Sequence, residues 1–240
     1  MSLSRRRVRA IIRKELRTYR RNQSIVAGMS IIPLIFLVQP LVSVFGLPSS
    51  AADELRNHHE LLYLLGIPAL VPVTLAAYAI VGERQESTLE PALGTPIRRE
   101  ELVLGKALAV FGPSLAVAYA VFAAFLAVVA LFAHPAVAQA LIRGPDVLAQ
   151  VIFTPLIAAL SIWIGVAIST RASEVRVAQQ LGMLASLPTV AVTTLIAINV
   201  IHATAGLAFG FGAALLMANS LGWRLVSALF DRERLIVGTK

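Results

Sequence analysis

The stretch ALAVFGPSLAVAYAVFAAFLAVVALFA, residues 107–133, decides the fold class of this chain. It contains no charged residue, and it belongs to a longer apolar segment, Leu102–Ala133. About 20 apolar residues suffice to cross roughly 30 Å of hydrocarbon. The extra length predicts a helix that begins in the cytosol and bends near Gly112 and Pro113. We expect a helix because an open strand would leave backbone N–H and C=O groups unpaired in lipid.

Five further segments have the same character, and none shows the ten-residue alternation of a membrane barrel. The composition agrees, with 58% hydrophobic and 14% charged residues and a mean hydropathy of +0.79. These values exclude an ordinary cytosolic enzyme, a disordered chain and a disulfide-rich secreted module. The sequence predicts an all-α polytopic membrane helix bundle with six transmembrane helices. The segments are Ser24–Gly46, Leu61–Gly82, Leu102–Ala133, Leu148–Thr170, Gln179–Val200 and Ala203–Leu221.

The positions of the basic residues predict the orientation of the bundle. Nineteen of the 21 Lys and Arg residues fall in connections on one side, leaving only Arg56 and Arg143 on the other. Basic connections stay in the cytoplasm, so we expect both termini to be cytoplasmic at the plasma membrane. This topology explains the net charge of +8 without a nucleic-acid partner. The first segment is longer than the apolar core of a cleaved signal peptide, so we interpret it as a retained helix.

The predicted organisation follows from these boundaries. A basic amphipathic helix covers residues 1–23, a six-helix transmembrane domain with a cytoplasmic loop at 83–106 covers residues 24–221, and a cytoplasmic tail covers residues 222–240. In the first part, Val8, Ile12, Leu16 and Tyr19 share one helical face, which predicts a helix lying in the membrane interface among anionic lipids. An ordinary basic flank without a special helix is the alternative.

Few side chains inside the predicted spans can ionise. Lys106 and Glu174 lie at the cytoplasmic edge, where a long side chain can reach water. A proton- or sodium-driven transporter is disfavoured, because such transporters use ionisable residues at mid-membrane. Polar residues within the spans predict hydrogen bonds between helices, with a substrate contact as the alternative. They are Gln39, Tyr78, Tyr119, Asn199 and Asn219.

The sequence contains no arrangement typical of catalysis. Without cysteine it has no thiolate nucleophile, and it lacks the Gly-rich loop ending in Gly-Lys-Ser/Thr that binds ATP. His58, His59 and Glu60 lie in a short outer loop and lack the spacing of a metal site. We therefore expect no enzymatic activity, no metal and no cofactor in this chain.

The most informative stretch is GERQESTLEPALGTPIRREELVLGK, residues 82–106. Ser87 or Thr88 is a candidate N-cap for a short helix, and Glu90 follows Ser87 at capping-box spacing. Leu89 and Leu93 would share one side of that helix, which ends at Gly94-Thr95-Pro96. The next helix is expected to start near Arg98. An apolar ridge with a charged rim is suited to docking a partner, and an ordinary solvated loop is the alternative.

This stretch resembles the first cytoplasmic loop of ABC-2-type transporter permeases. Ser87 departs from the usual glycine, and Pro91 occupies a position that is often helix-friendly, although proline is tolerated in a first turn. The resemblance extends over the chain, through the basic N-terminal helix and the six spans to an ending like Leu229–Leu235. The matching positions are Glu83, Glu86, Thr88, Leu89, Glu90, Leu93, Pro96, Ile97, Arg99, Glu101, Leu102, Gly105 and Lys106.

The resemblance implies the permease subunit of an ABC transporter. In that family the short helix docks on a separate ATPase, which carries ATP and Mg, and two permeases with two ATPases form an ATP-driven export pathway. The first and fifth spans would form the permease dimer. The alternatives are a secondary transporter and a non-transport scaffold or assembly protein. The implied ATPase-coupling residues are Glu83, Glu86, Ser87, Thr88, Leu89, Glu90, Leu93, Pro96, Arg99, Gly105 and Lys106.

Overall fold

The computed structural model describes residues 4–46, 58–85 and 98–229, and every regular element among them is α-helical. In chain order the helices are α1 Arg5–Arg21, α2 Gln23–Phe45, α3 Glu60–Tyr63, α4 Gly66–Gln85, α5 Arg99–Phe132, α6 Pro135–Leu141, α7 Gly144–Arg171, α8 Val175–Ala197 and α9 Ala205–Leu229.

Six helical segments are long and apolar enough to cross a membrane, which confirms the predicted all-α fold and the number of spans. They are α2, α3 with α4, α5, α7, α8 and α9. Helix α5 begins at Arg99, close to the predicted start, and is continuous through Pro113. Helix α9 runs to Leu229, beyond the predicted end of the last span at Leu221.

Helix α4 lies at the centre of the bundle and packs against α2, α5, α7 and α8. Its near-continuous apolar sequence allows burial on all sides, and Val73 and Ala76 are fully buried. Glycines on the neighbouring helices permit close approach. A Cβ on Gly165 of α7 would lie 2.7 Å from the Ala76 Cβ, and one on Gly182 of α8 would lie 2.7 Å from Val73 Cγ2. A larger side chain at either glycine would push a helix away from α4.

A buried serine also joins α7 to α4. The Ser169 hydroxyl donates to the Ala77 carbonyl oxygen at 2.7 Å and accepts from the backbone N–H groups of Ile80 and Val81, both at 3.1 Å. In a lipid-surrounded bundle these bonds satisfy polar groups that water cannot reach. The C-terminal halves of α4 and α7 are therefore joined by polar bonds as well as by packing.

Helix α9 is the most peripheral span and packs mainly on α7. Trp223 of α9 meets Trp163 of α7 edge to face, with ring centroids 5.6 Å apart. Much of its remaining apolar surface is exposed, including Phe209 and Met217. Lipid or another subunit must cover this surface in the membrane.

Three of the five polar residues predicted to bond between helices bond to another helix, and a fourth bonds to the connection between α1 and α2. Asn219 Nδ2 donates to the Leu156 carbonyl oxygen at 3.0 Å, and the Tyr119 hydroxyl donates to the Val151 carbonyl oxygen at 2.8 Å. Gln39 donates to Glu60 at 3.0 Å, and Tyr78 accepts from Asn22 at the same distance. Asn199 has a different role, since its φ of 59° places it in the left-handed region just after α8 ends.

Candidate functional site

The predicted docking segment lies largely outside the described residues. This applies to Glu86, Ser87, Thr88, Leu89, Glu90, Leu93 and Pro96. The structure describes the two ends from which the segment departs: the end of α4, with Glu83, and the start of α5, with Arg99, Gly105 and Lys106. We call these two ends the loop roots. The described part of the site therefore consists of the loop roots and the contacts that hold them in place.

Helix α1 packs against the start of α5, beside the loop roots. Its buried face consists of Val8, Ile11, Glu15 and Tyr19. The predicted apolar face was thus partly wrong: Ile12 is only partly buried, while Ile11 and a carboxylate face the protein. The buried face contacts other helices of the chain, so its apolar side chains are not wholly available to lipid. Its position at the membrane interface stays a prediction.

Gly105 of α5 makes the close packing of α1 possible. A Cβ at this position would lie 2.7 Å from Ile11 Cγ2 and 2.8 Å from Ile11 Cβ. The second of these atoms is rigidly attached to the α1 backbone, so a side chain at Gly105 would displace the helix. The close contact with α1 therefore explains why the loop motif has a glycine at position 105.

Lys106 forms the centre of a buried charge cluster that joins three helices. Its ammonium nitrogen lies 2.9 Å from a carboxylate oxygen of Glu15 on α1 and 2.7 Å from one of Glu83 on α4. Lys14 of α1 also pairs with Glu83. Lys106 is only 1% exposed, so the expectation that it reaches water was wrong. The two carboxylates compensate for the loss of hydration of the buried ammonium group.

Tyr19 lies beside this cluster at the end of α1. Burial raises the pKa of the Tyr19 phenol well above its usual range, and the charges of Glu15 and Glu83 raise it further. The phenol is therefore neutral under physiological conditions. Together with Ile11 it gives the charge cluster an apolar border on α1.

Glu101 fastens the start of α5 to the beginning of α1. One carboxylate oxygen accepts from the Ser4 backbone N–H at 2.8 Å, and the other accepts from the Arg98 backbone N–H at 3.1 Å. Arg7 of α1 lies 3.3 Å from the same carboxylate. An acidic side chain in the first turn of a helix also complements the helix dipole.

Arg84 fastens the other loop root to α7. Its guanidinium donates to the Thr170 and Ala172 carbonyl oxygens at 3.3 and 3.2 Å. These carbonyls belong to the last turn and C-cap of α7, where helical partners are lacking. Both loop roots are thus bonded to neighbouring helices, α1 and α7.

The outward face of α1 is strongly basic. Arg6, Arg9, Arg13, Arg17 and Arg20 are exposed and recur at helical spacing. Such a row suits an anionic surface. It lies opposite the buried face that carries Glu15.

At the other end of the bundle, Asp146 forms a second charge cluster. Its carboxylate accepts from Arg143 Nε at 2.9 Å and lies 2.8 Å from His59 Nδ1. Arg143 also donates to the His58 carbonyl oxygen at 2.6 Å. Across the described ranges, no group of three or more His, Cys, Asp or Glu residues could hold a metal ion.

Sequence reasoning did not identify several of these residues. Glu15 was recognisable as an acid among arginines, close to the predicted apolar face of α1. Asp146 follows Gly144 and Pro145, a pattern typical of a helix start, so its place in the first turn of α7 could have been predicted. Its pairing with His59 could not, because the two residues are 87 positions apart.

Comparison with known proteins gives one family match. The model of the family described as "ABC-2 family transporter protein" matches residues 9–223. The match includes most of α1, the first five spans, most of the sixth span and both loop roots. Among curated proteins, none matches the chain.

Proposed function

The chain belongs to the ABC-2 family of transporter proteins, and from this membership we propose that it is the membrane-spanning permease subunit of an ABC transporter. In this proposal a separate ABC ATPase docks on the segment Glu86–Pro96 and hydrolyses ATP with Mg. Two permease subunits, identical or similar, form the pathway with two ATPases. We further propose that the complex lies in the plasma membrane, has cytoplasmic termini and exports its substrate.

The fastening of the loop roots is the structural observation that supports this proposal. The segment departs from α4, the central helix, and returns into α5, while Lys106, Glu83 and Glu15 join both helices to α1. Arg84 joins α4 to the end of α7. A force applied to the segment would therefore reach several spans together instead of being lost in a flexible connection. This is what a bundle with two discrete arrangements needs if a partner is to bias it.

The decisive experiment replaces the two predicted anchors of the docking segment, Leu89→Ala with Leu93→Ala. The chain is expressed in its native host and purified in detergent together with any ABC ATPase that binds it. Loss of a buried interface anchor commonly costs about 2 kcal/mol or more, roughly thirtyfold in affinity. We expect the double variant to lose the ATPase, or to hydrolyse ATP without transport. The matched control is Leu225→Ala, which removes an equal side chain from an exposed position on α9.

Three results would contradict the proposal. The first is failure of any ABC ATPase to copurify with the wild-type chain, which would favour a scaffold or a secondary transporter. The second is transport that proceeds without ATP. The third is a double variant that binds the ATPase and transports like the wild type, which would show that the segment Glu86–Pro96 is not the docking site.

A further inference from the structure

The buried face of α7 carries polar side chains along the first part of the helix. Asp146, Gln150 and Thr154 follow one another at intervals of four residues, so they lie above one another on one face. Their exposed fractions are 4%, 1% and 0%. The Asp146 carboxylate is bonded to Arg143 and lies beside His59. The two residues that follow it on this face are uncharged.

The side chains of Gln150 and Thr154 each contain a buried oxygen without a partner. Within the described ranges, no group forms a hydrogen bond with Oε1 of Gln150 or with Oγ1 of Thr154. Most buried polar atoms in proteins have a partner, because an unpaired one has lost its water and gained nothing in return. Ser169 shows this usual arrangement on the buried face of α7, since its hydroxyl bonds to backbone groups of α4. Gln150 and Thr154 therefore point to a bonding partner from outside the protein.

The depth of these two side chains restricts what that partner can be. Thr154 follows Gly144, the first residue of α7, by ten positions, which places it about 15 Å along the helix. The residue is fully buried, so a bulky ligand has no access unless the helices separate. An ion would find no opposite charge on either side chain. Water is small and uncharged, and it both donates and accepts hydrogen bonds.

The spacing of the two side chains suits a bridging water molecule. Side chains four residues apart on a helix have Cβ atoms about 5–6 Å apart. A water that forms two hydrogen bonds of about 2.8 Å joins oxygens that are about 4.5 Å apart. Such a water donates one proton to Gln150 Oε1, and the Thr154 hydroxyl either accepts its other proton or donates its own.

A cavity at the start of α7 brings water close to this pair. Asp146, one turn before Gln150, lines a cavity of 280 Å³. A water molecule occupies about 30 Å³ in the liquid, so the cavity has room for several. One helical turn, about 5.4 Å along the axis, separates Asp146 from Gln150. Water therefore has a short way from the cavity to the unpartnered oxygens.

We propose that Gln150 and Thr154 form an internal hydration site, in which at least one water molecule bridges the two side chains. The site extends the polar face of α7 from the charge cluster of Asp146 into the interior of the bundle. It belongs to this chain alone, and it requires neither an ATPase nor the transport activity proposed above.

Radiolytic labelling tests the site directly. The full chain, reconstituted in nanodiscs without an ATPase, is exposed to a brief X-ray pulse in water enriched in heavy oxygen. Hydroxyl radicals formed from bound water oxidise the side chains next to it, and mass spectrometry locates them. Ile157, three residues after Thr154, is fully buried, so bulk water does not reach it. After correction for intrinsic reactivity, we expect Ile157 to be labelled severalfold more than Val166, a buried neighbour of the fully bonded Ser169.

Matched variants identify the groups that hold the water. Thr154→Val removes the hydroxyl and keeps the shape of the side chain, and Gln150→Leu removes the amide. Each should lower the labelling of Ile157 severalfold, whereas Thr154→Ser, which keeps the hydroxyl, should not. The control is Thr170→Val on the same helix, because the Thr170 hydroxyl already donates to the Ala167 carbonyl oxygen at 2.7 Å. It should leave the labelling of Ile157 unchanged.

Two results would overturn the proposal. Labelling of Ile157 no stronger than that of Val166 in the wild-type chain would mean that this face of α7 is dry. A rise in melting temperature for Thr154→Val would mean the same, because an apolar group in place of an unpaired buried hydroxyl stabilises the fold. A water-bound hydroxyl predicts a lower melting temperature instead. Neither result would affect the proposed permease function, which is tested by ATPase binding and transport.

Discussion

Replacement of Lys106 by methionine should release α1 from the loop roots. The ammonium group is buried and contacts Glu15 at 2.9 Å and Glu83 at 2.7 Å, so its loss leaves two carboxylates in a site with little water. Breaking a buried ion pair by removing one partner costs about 3–5 kcal/mol. We expect the low end of that range, because Lys14 still pairs with Glu83 and the loss falls mainly on Glu15.

Hydrogen–deuterium exchange of the α1 amides measures this release. A loss of about 3 kcal/mol corresponds to roughly a hundredfold increase in the opening equilibrium of α1. Lys14→Met is the matched control, since its side chain is 49% exposed and Lys106 still pairs with Glu83 in this variant, so the loss should be about 1 kcal/mol or less. Its effect on exchange should stay within about fivefold.

A compensating variant separates charge from packing. Lys106→Met combined with Glu15→Gln and Glu83→Gln removes the uncompensated carboxylates, so much of the lost protection should return. The reasoning would be refuted if Lys106→Met exchanged no faster than Lys14→Met. That result would mean that apolar packing around Ile11 holds α1 and that the charge cluster contributes little.

Three further predictions address packing, topology and assembly. Gly105→Val should displace Ile11 and speed exchange across α1, whereas Gly112→Val, whose Cβ meets no atom of the described residues within 4 Å, should leave α1 protected. Cysteines at Ser50 and Ser87 should be labelled from opposite faces of intact cells, and labelling from one face would contradict the predicted topology. Crosslinking in native membranes should trap permease dimers, and a monomer seen even with the ATPase present would contradict the proposed assembly.

The sequence predicted the fold, but it did not predict what two residues of the loop motif contact. The resemblance identified the motif residues Gly105 and Lys106 and assigned them to ATPase coupling. That role stays a prediction. The structure gives both residues a contact with α1 instead: Ile11 packs on Gly105, and Glu15 pairs with Lys106. A pattern in one segment identifies the residues, but the partner that explains them lies in another segment.

The sequence by itself determined the number of spans and the fold class. Helix rise and bilayer thickness set the length of a span, and both act on one continuous segment. The start of α5 near Arg98 was also predictable, because the change from polar loop to apolar run is local. The charge distribution likewise yields a definite topology that labelling can test.

Only the tertiary structure decided which side chains meet at the loop roots and at the opposite end of the bundle. Glu15 and Lys106 are 91 positions apart, and Ser4 and Glu101 are 97 apart. Phe153 of α7 and Gly212 of α9 likewise lie side by side, although they are far apart in the sequence. No local periodicity encodes such pairings, because they depend on how packed helices are rotated about their axes. That rotation is set by the fit of all the helices around α4, and it gave α1 a buried face that includes Ile11 and Glu15 beside the predicted Val8 and Tyr19.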